Sequence, residues 1–148
     1  MADASQTRIM IADDHPLVRG ALREAVAGLV DGIHIVEAGT FDEVSDMLGK
    51  GADIDLVLLD LTMPGVQGFS GLMYLRAQHP GTPVVIVSGN EDRGVIRRCI
   101  EFGASGFIPK SVDVDTMRGA IRTVLDGGAC TPADVDLTTP ADRETSDL

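Results

Sequence analysis

A chain of 148 residues with 44% hydrophobic content is long enough to bury one core, and it holds no apolar run of the ~20 residues that a membrane-spanning helix requires. Its 23 acidic against 12 basic residues give a formal net charge of −11 with no Lys/Arg cluster, which excludes direct binding of a phosphate backbone as this chain's task. Two isolated cysteines, Cys99 and Cys130, exclude a C-x-x-C zinc or dithiol motif, and a start without charged and apolar export regions leaves the cytoplasm as the expected location, with no membrane partner.

From Arg8 to Gly128, short apolar runs alternate with longer segments of helical period, the pattern of repeated βα units around a parallel sheet. Five strands are predicted: Arg8–Ala12, Ile33–Glu37, Ile54–Leu59, Pro83–Val87 and Gly106–Ile108. Three of these are nearly unbroken in apolar residues, as central strands covered on both faces should be. The first helix follows Pro16, with Leu17, Ala21, Leu22, Ala25, Val26 and Leu29 on one face. Thr40-Phe41-Asp42-Glu43 has capping-box spacing ahead of Val44, Met47 and Leu48, and Gly49 is suited to end that short second helix. A third helix is predicted over about Val66–Gln78 with Pro80 beyond it. A fourth covers about Asp92–Phe102, with Val95, Ile96, Cys99 and Ile100 as its apolar stripe and Gly103 closing it. The last places Val114, Met117, Ile121, Val124 and Leu125 on one face. Residues 1–7 read as an N-terminal extension and 8–128 as the folded domain. After Gly127-Gly128 the composition turns to Thr, Pro, Asp and Ala, so 129–148 is expected to be a flexible tail or a linker to a further module.

In an open parallel α/β sheet, ligands sit beyond the carboxyl ends of the strands. The polar residues just past the apolar runs are Asp13-Asp14, Asp60, Ser88 and Lys110. Each has an ordinary explanation when taken alone. An Asp ahead of Pro16 can cap a helix, Ser88 and Asn90 can cap the fourth helix, Asp60 before Met63-Pro64-Gly65 can serve a turn, and most lysines are solvated. The conjunction is harder to explain this way, because three carboxylates at one rim repel unless a cation or a lysine joins them. Mg²⁺, which takes oxygen ligands and is held by one or two carboxylates plus phosphate, fits Asp13, Asp14 and Asp60, with Mn²⁺ as a substitute. A carboxylate beside such an ion can attack phosphorus, and the Ser88 hydroxyl and Lys110 ammonium suit the transferred oxygens.

Four motifs stand in order: Ile-Met-Ile-Ala-Asp-Asp-His-Pro-Leu-Val-Arg, Leu-Val-Leu-Leu-Asp-Leu-Thr-Met-Pro-Gly-Val-Gln-Gly, Val-Val-Ile-Val-Ser-Gly and Gly-Ala-Ser-Gly-Phe-Ile-Pro-Lys-Ser. With them, Ile9 to Gly128 resembles the receiver domain of two-component response regulators, most of all the NarL/FixJ (LuxR-type) subfamily. The resemblance implies a flavodoxin/CheY-like (βα)5 fold with strand order 2-1-3-4-5 and helices on both faces. It implies that Asp60 is the phosphoacceptor and that Asp13, Asp14, Asp60 and the Thr62 main-chain carbonyl hold Mg²⁺. Ser88 and Lys110 would bind the phosphoryl group, Phe107 would follow Ser88 inward as the coupled switch, and Thr62 and Asn90 would tune hydrolysis.

The implied donor is a phosphohistidine of a sensor histidine kinase or phosphotransfer protein docking near helix one. Leu17 and Val18 are available for that contact, although a core role facing the sheet is the plainer expectation. Homodimerisation on phosphorylation and control of transcription through a helix-turn-helix output domain, the only route to DNA, are also implied. So is a chain that is no enzyme beyond its own phosphorylation and slow dephosphorylation. The sequence departs from many receivers in following Lys110 with Ser111 rather than Pro, and no basic helical segment comes after Gly128. The rivals are a haloacid-dehalogenase-type Mg²⁺-dependent phosphatase, a flavodoxin-like electron carrier and a non-phosphorylated pseudo-receiver. The phosphatase pattern puts its nucleophile on the first strand, and a flavin carrier needs a phosphate loop where this chain has Asp-Asp-His-Pro. All five site positions carry competent residues, which argues against the pseudo-receiver.

Overall fold

The computed structural model describes residues 7–29, 32–51, 53–63 and 69–131. Their elements alternate as β1 (Arg8–Ala12), α1 (Pro16–Ala27), β2 (His34–Ala38), α2 (Phe41–Gly49), β3 (Leu56–Asp60), α3 (Ser70–Gln78), β4 (Val84–Ser88), α4 (Arg93–Glu101), β5 (Gly106–Pro109) and α5 (Val114–Leu125). The strands form one parallel sheet in the order β2-β1-β3-β4-β5. The three runs richest in apolar residues are its interior strands, and β3 and β4 are buried along their whole length.

Because successive strand side chains point to opposite faces, each strand feeds two cores. Met10, Ala12, Val57, Leu59, Val84, Ile86 and Phe107 meet α2, α3 and α4 through Val44, Leu48, Leu72, Leu75, Ile96 and Cys99. Ile9, Ile11, Leu56, Leu58, Val85, Val87 and Ile108 meet α1 and α5 through Leu22, Ala25, Val26, Met117, Ile121 and Val124.

Several boundaries differ from the sequence reading. β2 runs one residue later than Ile33–Glu37. β3 starts at Leu56 rather than Ile54, because Asp55 instead turns the chain, its carboxylate accepting the Arg8 N–H at 2.8 Å. β3 and β4 each extend to their polar terminal residue, since Asp60 pairs with Val87 and Ser88 with Pro109 in the ladder. The part of the predicted third helix at 66–68 lies outside the described residues. The capping box of α2 forms, with the Glu43 N–H donating to the Thr40 hydroxyl oxygen at 3.2 Å, while Glu43 Oε1 accepts from Gly39 N–H at 2.6 Å. Gly49 is the last helical residue of α2, and the left-handed turn that ends it falls at Gly51 (φ +84°).

Leu17, expected to face the core, is 89% exposed. The stripe that packs runs through Val18, Ala21, Leu22, Ala25, Val26 and Leu29, and Leu17 is turned about 100° away from Val18 around the helix. The chain after α5 does not leave the domain at once. Cys130 lies beside Gly106 in a parallel bridge, with Phe107 N–H donating to Cys130 O at 2.9 Å and Cys130 N–H to Ser105 O at 3.2 Å. A Cβ on Gly106 would stand 2.6 Å from that Cys130 oxygen. The tail predicted over 129–148 is therefore tied down at its start, and 132–148 lie outside the described residues, as do 1–6 of the N-terminal extension.

At the end of α4, Gly103 adopts φ +103° while Ala104 N–H reaches Cys99 O and Gly103 N–H reaches Ile100 O, both at 3.0 Å, satisfying carbonyls the helix leaves open. A side chain there strains the backbone and meets Arg76 Nε at 3.0 Å. Gly103→Ala should cost about 1–2 kcal/mol, read as a lower urea midpoint at unchanged m-value.

Candidate functional site

The carboxyl rim of the sheet gathers the polar residues that end the strands. Asp13 follows β1, Asp60 ends β3, Ser88 ends β4 and Lys110 follows β5. Asp13 and Asp60 are fully buried and Ser88 is 1% exposed. The Lys110 ammonium lies 3.2 Å from Asp60 Oδ1 and 3.3 Å from Asp13 Oδ2, so one cation bridges two buried carboxylates from different strands. Lys110 is held there by its own backbone, whose N–H donates to Ser88 O at 2.9 Å.

Asp60 Oδ1 also accepts from the Thr62 N–H and the Thr62 hydroxyl, each at 3.0 Å. Ser88 Oγ accepts the Asn90 N–H at 3.0 Å, and Asn90 Oδ1 accepts the Asp92 N–H at 3.0 Å. The cap of α4 is Asp92 itself, which takes the Gly94 and Val95 N–H groups, so neither Ser88 nor Asn90 caps that helix directly. Neither acidic residue of the doublet caps α1 either. Its N-cap is His15, whose side chain makes no cap bond, and Asp13 Oδ1 accepts the His15 N–H at 2.7 Å in a local turn. Asp14 is partly exposed beside these buried groups, its Oδ1 3.3 Å from His15 Nδ1. Phe107 is buried at 2% exposure in the core beneath, alongside Ile86, Ile96 and Cys99.

Sequence reasoning missed His15 and Arg19. His15 Nδ1 stands 3.1, 3.3 and 3.4 Å from an oxygen of Asp13, Asp14 and Asp60 respectively, and 2.9 Å from Lys110 Nζ. Arg19 fixes the doublet from below, its Nε and Nη2 donating to Asp13 O at 2.9 and 2.5 Å, while Nη1 pairs with Glu37 at 3.4 Å. The signal for His15 was its place directly after two acidic residues at a strand end. Nothing in the spacing marked Arg19.

Asp13, Asp14, His15 and Asp60 can each present one ligand atom with all four atoms within 4.8 Å of one another. Asp13 Oδ2 and Asp60 Oδ2 are buried without a hydrogen-bond partner, the first facing only the Lys110 ammonium at 3.3 Å and the second only His15 Nδ1 at 3.4 Å. Buried anionic oxygens in that condition are costly, and hard oxygen donors of this kind fit Mg²⁺. The two free cysteines lie outside this site, and burial pushes Cys99 up to about 12 and Cys130 up to about 11, so neither offers a thiolate.

The electrostatics predict opposite effects from two substitutions in chelator-treated protein. Lys110→Ala leaves two buried carboxylates without their cation and should lower urea stability by about 3 kcal/mol. Asp60→Asn removes one of the crowded charges and should raise the midpoint.

The response regulator receiver domain model matches residues 9–122. The chain is 41% identical over 128 residues to a glycerol metabolism activator of Pseudomonas putida, which covers 86% of this chain and 58% of that protein. It is 33% identical over 128 residues to the nitrate/nitrite response regulator protein NarP of Escherichia coli, covering 86% and 59%. The chain thus spans somewhat over half the length of these relatives. Among solved structures, a LuxR family DNA-binding response regulator from Silicibacter pomeroyi superposes with a TM-score of 0.76 at 31% identity, covering 86% of this chain and 98% of that one. The isolated receiver domain of RcsB from Salmonella enterica serovar Typhimurium superposes at 0.78 with 20% identity, over 88% and 96% of the two chains, a likeness of fold.

Proposed function

This chain belongs to the response regulator receiver domain family, and from that premise we propose that it accepts a phosphoryl group from a phosphohistidine onto Asp60 in the cytoplasm and signals by a change of conformation. The observation that carries the reading is the Lys110 ammonium set between the buried Asp60 and Asp13 carboxylates, with two of their oxygens left without hydrogen bonds.

Asp60 is the nucleophile in this reading. Its Oδ1 is engaged by Thr62 and Lys110, which leaves Oδ2, buried and free of hydrogen bonds, as the oxygen to attack phosphorus. Asp13, Asp14, Asp60 and the Thr62 carbonyl would hold Mg²⁺, which when bound neutralises charge on the phosphoryl oxygens. Lys110 would then pair with the transferred group. Ser88 would give up its Asn90 contact to donate a hydrogen bond to the same group, and charge-assisted bonds of this kind are the strong ones. A switch needs contacts made in one state and absent in the other, and turning a population fully requires about 5 kcal/mol of such difference. Phe107, buried one strand over from Asp60's neighbours, is positioned to carry the change toward α4 and β5. Thr62, already bonded to Asp60, and Asn90 would set how fast water reaches the acyl phosphate.

The donor would be a sensor histidine kinase or phosphotransfer protein, and the exposed Leu17, one turn from the doublet, is available to it. Pairing of two receivers on phosphorylation and control of transcription through an output module are proposals for the longer protein that relatives of this kind represent. Among the described residues no helix is long and apolar enough to cross a membrane. A phosphatase of haloacid-dehalogenase type is disfavoured by the sheet itself, since the nucleophile candidate stands on β3 and not on β1, with Thr62 two residues beyond it.

Incubation with acetyl phosphate and Mg²⁺ followed by intact-mass measurement tests the reading. Wild type should gain one phosphoryl group and Asp60→Asn none. Rapid release of phosphate without labelling would support the phosphatase, and an unlabelled wild type the pseudo-receiver.

A further inference from the structure

We propose that His15 is a nitrogen ligand of the cation site at this rim and biases it, relative to Mg²⁺, toward the first-row divalent ions that accept imidazole, Fe²⁺ to Zn²⁺. The inference rests on the reading of Asp13, Asp14 and Asp60 as a cation site and adds to it a discriminating residue.

The first observation is placement. His15 Nδ1 lies within 3.4 Å of one oxygen from each of the three carboxylates, at the point where their negative charge converges. The second is what surrounds that nitrogen. Lys110 Nζ also lies 2.9 Å from it, so the nitrogen stands among the same charged groups that frame the cation site. Asp13, Asp14, His15 and Asp60 can thus each turn one ligand atom toward a common point, with all four atoms within 4.8 Å of one another, and a neutral ring nitrogen is the form in which imidazole binds a metal. The third observation is that the ring is not used to cap a helix, since His15 is the N-cap of α1 and its side chain makes no cap bond. Its backbone is held extended (φ −92°, ψ 112°) ahead of Pro16, a conformation that proline favours in its predecessor, so the ring springs from a backbone of defined conformation.

Chemistry then sets the preference. An all-oxygen site suits Mg²⁺, which gains little from imidazole, whereas Fe²⁺, Co²⁺, Ni²⁺ and Zn²⁺ are bound well by it. The ligand set here is mixed. Binding of the ion at Nδ1 would also release Lys110 from that nitrogen, leaving the ammonium its two carboxylate contacts.

The test is calorimetric titration of the full chain with Mg²⁺ and, separately, with Co²⁺, in wild type, His15→Ala, His15→Gln and Asp60→Asn, together with proton NMR of the Co²⁺ form. His15→Ala and His15→Gln should each weaken Co²⁺ by about tenfold or more and leave Mg²⁺ within about twofold. The Co²⁺ form of wild type should show a strongly shifted, exchangeable imidazole N–H resonance that both His15 variants lose. Equal weakening of both ions, no weakening of either, or a shifted resonance that survives in the variants would overturn the role of His15. Wild type that binds neither ion, or Asp60→Asn that binds both as wild type does, would instead overturn the cation site itself.

Discussion

The Lys110 bridge between Asp13 and Asp60 is the constraint on which the rest of the molecule depends. Three residues separated by nearly a hundred positions in the chain meet at 3.2 and 3.3 Å only because β1 and β3 are neighbours and β5 lies one strand beyond β4. Another strand order would carry the lysine to a different edge and leave two anionic groups in the interior without compensation. The order is fixed by burial. The interior strands are apolar on both faces, so they must be covered by α1 and α5 on one side and α2, α3 and α4 on the other.

That bridge also leaves the charge at the rim incompletely matched. Its cation is shared among Asp13, Asp60 and His15, and two carboxylate oxygens still lack a hydrogen bond. A group that brings positive charge to those oxygens, or that takes up the lysine, finds a site prepared for it. The contacts that support the bridge are local. Thr62 holds Asp60, Arg19 holds the Asp13 carbonyl, and Lys110 N–H is tied to Ser88 O.

Much of this was legible before any coordinates. The sheet showed itself because β1, β3 and β4 are apolar on both faces, and the site because its members are the polar residues that end those runs. The exact ends were harder, since Asp60 and Ser88 are polar yet still pair in the ladder. Leu17 misled because a spacing of four to Ala21 suggests the packed face, while the buried stripe passes through Val18. Nothing in a period of 3.6 residues tells which way an N-cap side chain turns, so the His15 ring could not be placed among the carboxylates. Gly49 and Gly51 are two residues apart, and only backbone geometry shows which of them takes the left-handed conformation.

The seat of Cys130 against Gly106 bears on a different hazard. β5 is an outer strand, and its Phe107 N–H, with the carbonyl of Ser105 just before it, would otherwise stand as open pairing positions. Such edges are where one polypeptide recruits another into an extended ladder and precipitates. A returning backbone that occupies those two positions acts as a guard rail, and it fits only because residue 106 has no side chain. The cover over this edge thus hangs on a single absent methyl group, far from the rim that gathers the carboxylates.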